Sequence, residues 1–324
     1  MQRRTPKNRA LTLSLRHLVV LVLFRFATSR ALPLVFFLLT IASTLYVGGY
    51  HGLEFWAPER LAEGSVSLQE WLFYGFPFSF TILAIIGTHE MGHYLTAKRY
   101  RLDTSLPVFL PFPISLIGTL GAFILIKSPF PNRRSLIDVG LAGPFAGFVV
   151  CLPALFIGVA TSRPSIETAS EGIGLGLPLL FQGAVKLLWP DLPADQNFLV
   201  SPIGLAAWFG LLLTAINLLP IGQLDGGHAT YALLREKAHR LSTIFFFALL
   251  LLAILTPSWL FFALLTYAIG IRRPHPPTLF DDEPLPRSRV VMGILALVTF
   301  ALCFTPEPIQ ISWSDLLDAF RDSR

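Results

Sequence analysis

The feature that most constrains this chain is the recurrence of apolar stretches long enough to cross a bilayer. A spanning helix needs about 20 mainly apolar residues. Such stretches occur at 31–50, 71–96, 136–160, 201–219, 241–256 and 289–305, and a shorter one at 258–271 is set off by Pro257. Apolar residues make up 53% of the 324 and charged residues only 14%, against about a quarter charged in a soluble domain. The chain has too little polar surface to keep itself in water. The sequence therefore predicts an all-α integral membrane protein, a polytopic helical bundle of about six to seven spans.

Two apolar stretches resist that description. Residues 106–126 contain Pro107, Pro111, Pro113, Gly118 and Gly121, which rule against a continuous helix; a re-entrant loop or hairpin is expected there, directly after the second span. Residues 173–189 are glycine-rich and read as interfacial or re-entrant. Residues 10–24 resemble a signal peptide, but Arg16, Arg25 and Arg30 favour an interfacial helix instead. The Pro-rich, acidic stretch 278–288 reads as a loop. The expected organisation is a basic cytoplasmic or interfacial segment 1–30, a polytopic membrane domain 31–305 and a short polar tail 306–324, with no room for a separate soluble module.

Charge sets the orientation. Loop 51–70 carries Glu54, Glu59, Glu63 and Glu70 against Arg60 alone, whereas Lys98, Arg99, Arg101, Lys127, Arg133 and Arg134 crowd the next loop. Cytoplasmic loops hold the excess of Lys and Arg, so 51–70 faces outward and 97–135 inward. Arg235, Lys237 and Arg240 mark a second inner loop and Arg272 and Arg273 a third. The net charge of +5 thus reflects topology, and no basic face of the kind that binds nucleic acid is present. Cys151 and Cys303 each lie in an apolar run without a CxxC partner, which reads as two small buried hydrophobes.

The chemistry concentrates in His89-Glu90-Met91-Gly92-His93, inside the second span. Helical positions i and i+4 share a face, so both imidazoles can reach one metal ion, while Glu90 can take a proton from water at that metal. Ionisable groups within a span are costly and mark function by default. Such a site needs a third protein ligand. Asp138, at the start of the third span, is one candidate. The better one is Asp225, in Asn217-Leu218-Leu219-Pro220-Ile221-Gly222-Gln223-Leu224-Asp225-Gly226-Gly227, where Pro220 stops a span and the glycines permit tight turns. Asn217 could hydrogen-bond substrate or an oxyanion, or cap the broken helix. His228 could support the ligands or be a plain helix-start residue. Gly143 and Gly147 fit a small-xxx-small helix contact, and His275 has no evident role.

HExxH in one span with NxxPxxxxDGG in a later one resembles the site-2 protease family of intramembrane zinc metalloproteases, in the form without a PDZ domain. The resemblance covers most of residues 71–277, including GTLGAF at 118–123, AGPFAG at 142–147 and HPPT at 275–278. It implies one Zn2+ per chain held by His89, His93 and Asp225, Glu90 as general base, and a metal near the cytoplasmic side of a helical membrane core. Its implied partners are a transmembrane protein substrate and the lipid bilayer. A bacterial inner membrane is the expected location, and a plastid-like membrane would also suit. Two other readings use the same residues: a membrane ion or zinc transporter with a His/Asp ion site, and an inactive homologue that binds membrane proteins. A spanning substrate must be unwound before cleavage, and an exposed strand edge could hold it by strand addition. The segment around Gly118 and Gly121 is the candidate for that edge; the competing reading is a re-entrant plug.

Overall fold

The computed structural model describes residues 31–165, 174–193, 197–267 and 276–315, together with Arg321. The basic N-terminal segment, Arg272, Arg273 and His275 lie outside the described residues.

Each predicted span coincides with a helix. The first, α1, runs over Ala31–Trp56, and a short α2 over Pro58–Glu63 begins on its proline. The long α3 over Leu68–Arg99 starts at a capping box in which the Ser67 side chain accepts from Glu70 N–H and Glu70 reaches back to Ser67 N–H. Next, β1 (Val108–Phe112) and β2 (Gly118–Phe123) precede α4 over Arg133–Thr161, which opens on a second capping box between Asn132 and Ser135. Short strands β3 (Arg163–Ser165) and β4 (Gly174–Leu175) lead to α5 over Leu179–Leu188, then β5 over Asn197–Leu199. Helix α6 over Pro202–Asn217 starts with proline in its first turn, under a Ser201 cap. The remaining helices are α7 (Asp225–Leu234), α8 (Lys237–Leu255), α9 (Ser258–Thr266) and α10 (Arg287–Cys303), followed by β6 (Ile309–Gln310).

Among the described residues, four helices are long and apolar enough to cross a membrane: α1, α3, α4 and α8. One of the remaining helices is shorter than its sequence run suggested. Helix α6, with 16 residues, is enclosed by its neighbours: Ala206, Trp208 and Leu211 are fully buried in a core shared with Phe78, Ile82 and Ile85 of α3 and Leu155 of α4. A helix walled in by protein need not match the lipid thickness. Helix α9 has nine residues and returns against α8 after the break at Pro257. The stretch read as a loop at 51–70 is largely helical, because α1 continues to Trp56 and α2 follows at once.

The segment 106–126 is an antiparallel β-hairpin. Val108 pairs with Phe123, Phe109 with Ala122, Pro111 with Thr119 and Phe112 with Gly118, and a bulge falls between Phe109 and Pro111. A bridge between Thr104 and Ile126 continues the ladder towards its base. Backbone in the bilayer must satisfy its own polar groups or be covered. Here the strands satisfy each other, Thr119 Oγ1 accepts from Gly121 N–H at 3.0 Å inside the bulge, and the Gly118 carbonyl accepts from Ser43 Oγ of α1 at 2.5 Å. Helix α1 packs along both strands.

Two sets of chain ends are tied together at opposite sides of the bundle. On one, Arg163 donates to the Phe55 carbonyl at 2.8 Å, Trp259 to that of Pro306 at 2.7 Å and Trp313 to that of Ile254 at 2.8 Å, and β4 pairs with β6. On the other, Arg133 at the start of α4 donates to the carbonyls of Ala232 and Glu283, and the strap 276–286 runs beside Phe130–Asn132.

Candidate metal centre

His89, Glu90 and His93 sit in the last three turns of α3, all buried. The two rings lie against α4, where the chain has glycine. A Cβ at position 143 would come within 2.1 Å of His93 Nε2, and one at 147 within 3.1 Å of His89 Cβ. Gly143 and Gly147 do make a close helix contact, as their spacing suggested, but what they admit is the pair of histidine rings. His93 Nδ1 lies 2.8 Å from the Val139 carbonyl. A carbonyl only accepts, so Nδ1 carries the proton and the Nε2 lone pair is left to face inward.

Asp225 arrives from the broken segment between α6 and α7. Helix α6 ends at Asn217, and Pro220 and its neighbours fold into tight turns in which Ile221 N–H donates to Leu219 at 2.7 Å and Leu224 N–H to Ile221 at 3.2 Å. Gly226 fits because a Cβ there would stand 2.1 Å from the Leu218 carbonyl oxygen. The Pro220 carbonyl is held from α8 by Ser242 Oγ at 2.7 Å. Asp225 is then the first residue of α7, where the free N–H groups of the helix start favour a carboxylate.

These elements converge on one point. Asp225 Oδ2 is 3.3 Å from both His89 Nε2 and His93 Nε2, and the two nitrogens are 3.1 Å apart. Zinc takes nitrogen and carboxylate donors at about 2.0–2.2 Å in a tetrahedron, whose edges are then roughly 3.3 Å. The three donors fit such an ion and leave its fourth corner free. Among the described residues this is the one group of three or more His, Cys, Asp or Glu side chains that could hold a metal.

Glu90 stands beside the group without belonging to it. Among the described residues nothing hydrogen-bonds its carboxylate. Asn217 Nδ2 approaches His89 Nε2 at 3.5 Å, next to the donors. His228 is one turn beyond Asp225 with its ring 6.2 Å from that of Phe130. Asp138 is engaged elsewhere, accepting two bonds from Arg289 and one from Tyr100. Of the hairpin glycines, Gly118 has φ +80° and lies against α1, where a Cβ would meet Ser43 O and Thr44 Cα at 2.8 Å; Gly121 has φ +95° and open space around it.

A model of peptidase family M50 matches residues 77–255, more than half of the chain and every residue of the metal group. The chain belongs to peptidase family M50, the site-2 protease family. Its relatives include the probable zinc metalloprotease EGY2, chloroplastic, of Oryza sativa subsp. indica, 31% identical over 72% of this chain and 43% of that protein. The protein of the same name from Arabidopsis thaliana is 30% identical over 75% and 44%, and the probable zinc metalloprotease EGY1, chloroplastic, of the same plant is 30% identical over 85% and 53%. This M50 chain thus spans about half the length of the curated relatives it matches. The M50 match begins in α3 and ends with α8, so α1 and α10 are packed onto the matched core from outside it.

The residues near the site that the sequence did not single out for it are Val139, Ser242 and Arg289. Each acts through a backbone carbonyl or a long-range ion pair, for which a single sequence carries no signal.

Proposed function

We propose that this chain is an intramembrane zinc metalloprotease that hydrolyses peptide bonds of transmembrane or membrane-proximal protein substrates. The observation that carries the reading is the Glu90 carboxylate, without a hydrogen-bond partner among the described residues, beside three donors spaced for one tetrahedral ion. An ion-transport site has no need of an acid that is kept out of the ligand set.

His89, His93 and Asp225 would hold the zinc, one ion per chain. Bound there, zinc supplies Lewis acidity, polarising a carbonyl and making water more acidic. Glu90 takes the proton of the attacking water and delivers it to the leaving amine. Asn217, projecting next to His89, would donate its amide N–H to substrate or to the developing oxyanion. The hairpin would take the unwound substrate as an added strand, with Gly118 closing it onto α1 and Gly121 leaving its bulge open to a second backbone. On this reading the membrane domain runs over 31–305, between the basic segment 1–30 and the tail 306–324.

The relatives' names are chloroplastic, so they lend no support to the bacterial inner membrane expected from the sequence. The reading keeps the integral membrane and the position of the site, nearer the positively charged, cytoplasm-like face.

The test pairs zinc content with turnover. Glu90→Gln is expected to retain one zinc per chain while cleavage of a transmembrane substrate falls by about 10²-fold or more. Full cleavage by a zinc-loaded Glu90→Gln protein would remove Glu90 from the mechanism.

A further inference from the structure

The His93 ring is oriented by the Val139 carbonyl, and the residue before Val139 is an acid bonded to two other elements. Asp138 receives Arg289 Nε on Oδ1 at 2.9 Å and Arg289 Nη2 on Oδ2 at 2.7 Å, a two-pronged geometry that fixes direction as well as distance. Tyr100 O–H donates to Oδ2 at 2.5 Å, and Arg134 lies 4.0 Å away. The Arg289 and Asp138 side chains are only 22% and 11% exposed, so water screens the pair little. Three elements meet here: Tyr100 directly follows the HExxH helix α3, Asp138 is in the second turn of α4, and Arg289 opens α10.

The segment leading into α10 is tied to the same place. Leu279 and Phe280 N–H donate to the carbonyls of Phe130 and Pro131 at 3.0 and 2.8 Å. Asn132 donates to Glu283 at 2.8 Å, and Arg133 to the Glu283 and Ala232 carbonyls at 2.7 and 3.1 Å. Asp281 accepts from the Thr278 hydroxyl at 2.9 Å and from Arg235, at the end of α7, at 3.2 Å. Burial draws the Asp281 carboxyl upward, but the bonds from Thr278 and Arg235 hold it below its ordinary range. Residues 278–289 therefore grip the start of α4 and the end of α7. Those helices carry the carbonyl behind His93 and the third metal donor.

We propose that Arg289 is a positioning residue for the metal centre: through Asp138 it fixes the first turns of α4 against α3, and so holds the Val139 carbonyl on His93 Nδ1. The chain of contacts is Arg289 to Asp138, Asp138 to its neighbour Val139, and Val139 to His93. Arg289 lies beyond residue 255, where the family match ends, so α10 contributes to the site without touching it. Freed from Arg289, the α4 start can turn on its axis. His93 then loses the acceptor that keeps its Nε2 lone pair aimed at the ion, and zinc is held less tightly. Partners that orient a metal-binding histidine are commonly worth 10- to 100-fold in affinity.

The inference rests on the zinc reading above, and the experiment separates the two. Zinc affinity is measured by chelator competition on the purified full chain, and thermal unfolding on the same proteins stripped of metal. Four variants are compared: Arg289→Met, Tyr100→Phe, Arg163→Ala and Asp225→Ala. Arg163 ties helix ends on the opposite side of the bundle, so its loss costs stability without reaching the site. Arg289→Met is expected to weaken zinc by about tenfold or more, and Tyr100→Phe by less in the same direction, while Arg163→Ala keeps full affinity despite a lower Tm. Unaltered affinity in Arg289→Met would overturn the inference, as would equal weakening in Arg163→Ala. If Arg289→Met does not fold, Tyr100→Phe decides: it removes one hydrogen bond to the same carboxylate, and full zinc affinity there overturns the inference. Absence of zinc from the unaltered chain, or undiminished affinity in Asp225→Ala, would instead fell the metal assignment and this inference with it.

Discussion

The ring of His93 fills the place where a side chain at position 143 would stand. A methyl group there would sit 2.1 Å from Nε2, well inside contact distance, so either the ring or α4 must move. The ring is also fixed from behind by Val139, and rotating away breaks that bond. Gly143→Ala is therefore expected to lower zinc affinity by about tenfold or more, measured by chelator competition, with the helix content of the protein retained. A variant that binds zinc normally would mean that α4 can withdraw without disturbing the ligand. Gly147 stands further off, its Cβ position 3.1 Å from His89 Cβ, and should tolerate alanine better. The spacing of these two glycines was legible as a helix contact, but single-sequence spacing gives no way to tell that a metal-binding ring, rather than a backbone, is what comes close.

At the scale of elements, the β-hairpin is the departure from a purely helical design. Its prolines and glycines excluded a continuous helix, and the structure resolves the alternatives by pairing the two halves and seating them on α1. Gly118 and Gly121 then separate in role. A residue larger than glycine at 118 collides with the α1 backbone and cannot relax at φ +80°, so a variant there disturbs packing. Position 121 has no atom within 4 Å of an added Cβ, although its φ of +95° still strains a β-branched residue. Gly121→Val is accordingly the cleaner probe of strand addition. It is expected to slow cleavage of a transmembrane substrate several-fold more than that of a short unfolded peptide, with zinc content unchanged. Equal slowing of both substrates would make the hairpin scaffold only.

For the whole molecule, the alternation of charge and the tied chain ends agree. The ends held by Arg163, Trp259 and Trp313 belong to the loops with an acidic excess, and Tyr100, Asp138, Arg133 and Arg289 gather on the side rich in Lys and Arg. Indole N–H groups meeting carbonyls at a helix end suit a membrane interface, where one part of the ring is apolar and the other wet. The metal donors lie closer to the basic side: α3 places His93 about 9 Å along its axis from Arg99. Single-cysteine labelling is expected to reach position 99 from the basic, cytoplasm-like side and position 60 from the other. Labelling of both from one side would break the alternation and reverse the depth assigned to the site.

The sequence by itself determined what depends on short range and on composition. Apolar length gave the helices, proline and glycine gave the breaks at 106–126 and 217–227, and i, i+4 geometry put His89 and His93 on one face. Asp225 was legible as a candidate because an acid on a broken membrane helix is costly, and the structure places it beside His89 and His93. The tertiary structure alone decided that the proline-rich segment pairs with itself, since a strand needs a partner that local pattern does not name. It also decided that α6 can be short, because neighbours rather than lipid surround it. Asp138, which the sequence offered as a possible ligand, is drawn away by Arg289 from 151 residues further along the chain. Which of the two carboxylates stands beside the histidines depends on contacts far along the chain, and only packing brings the Arg289 cation to Asp138.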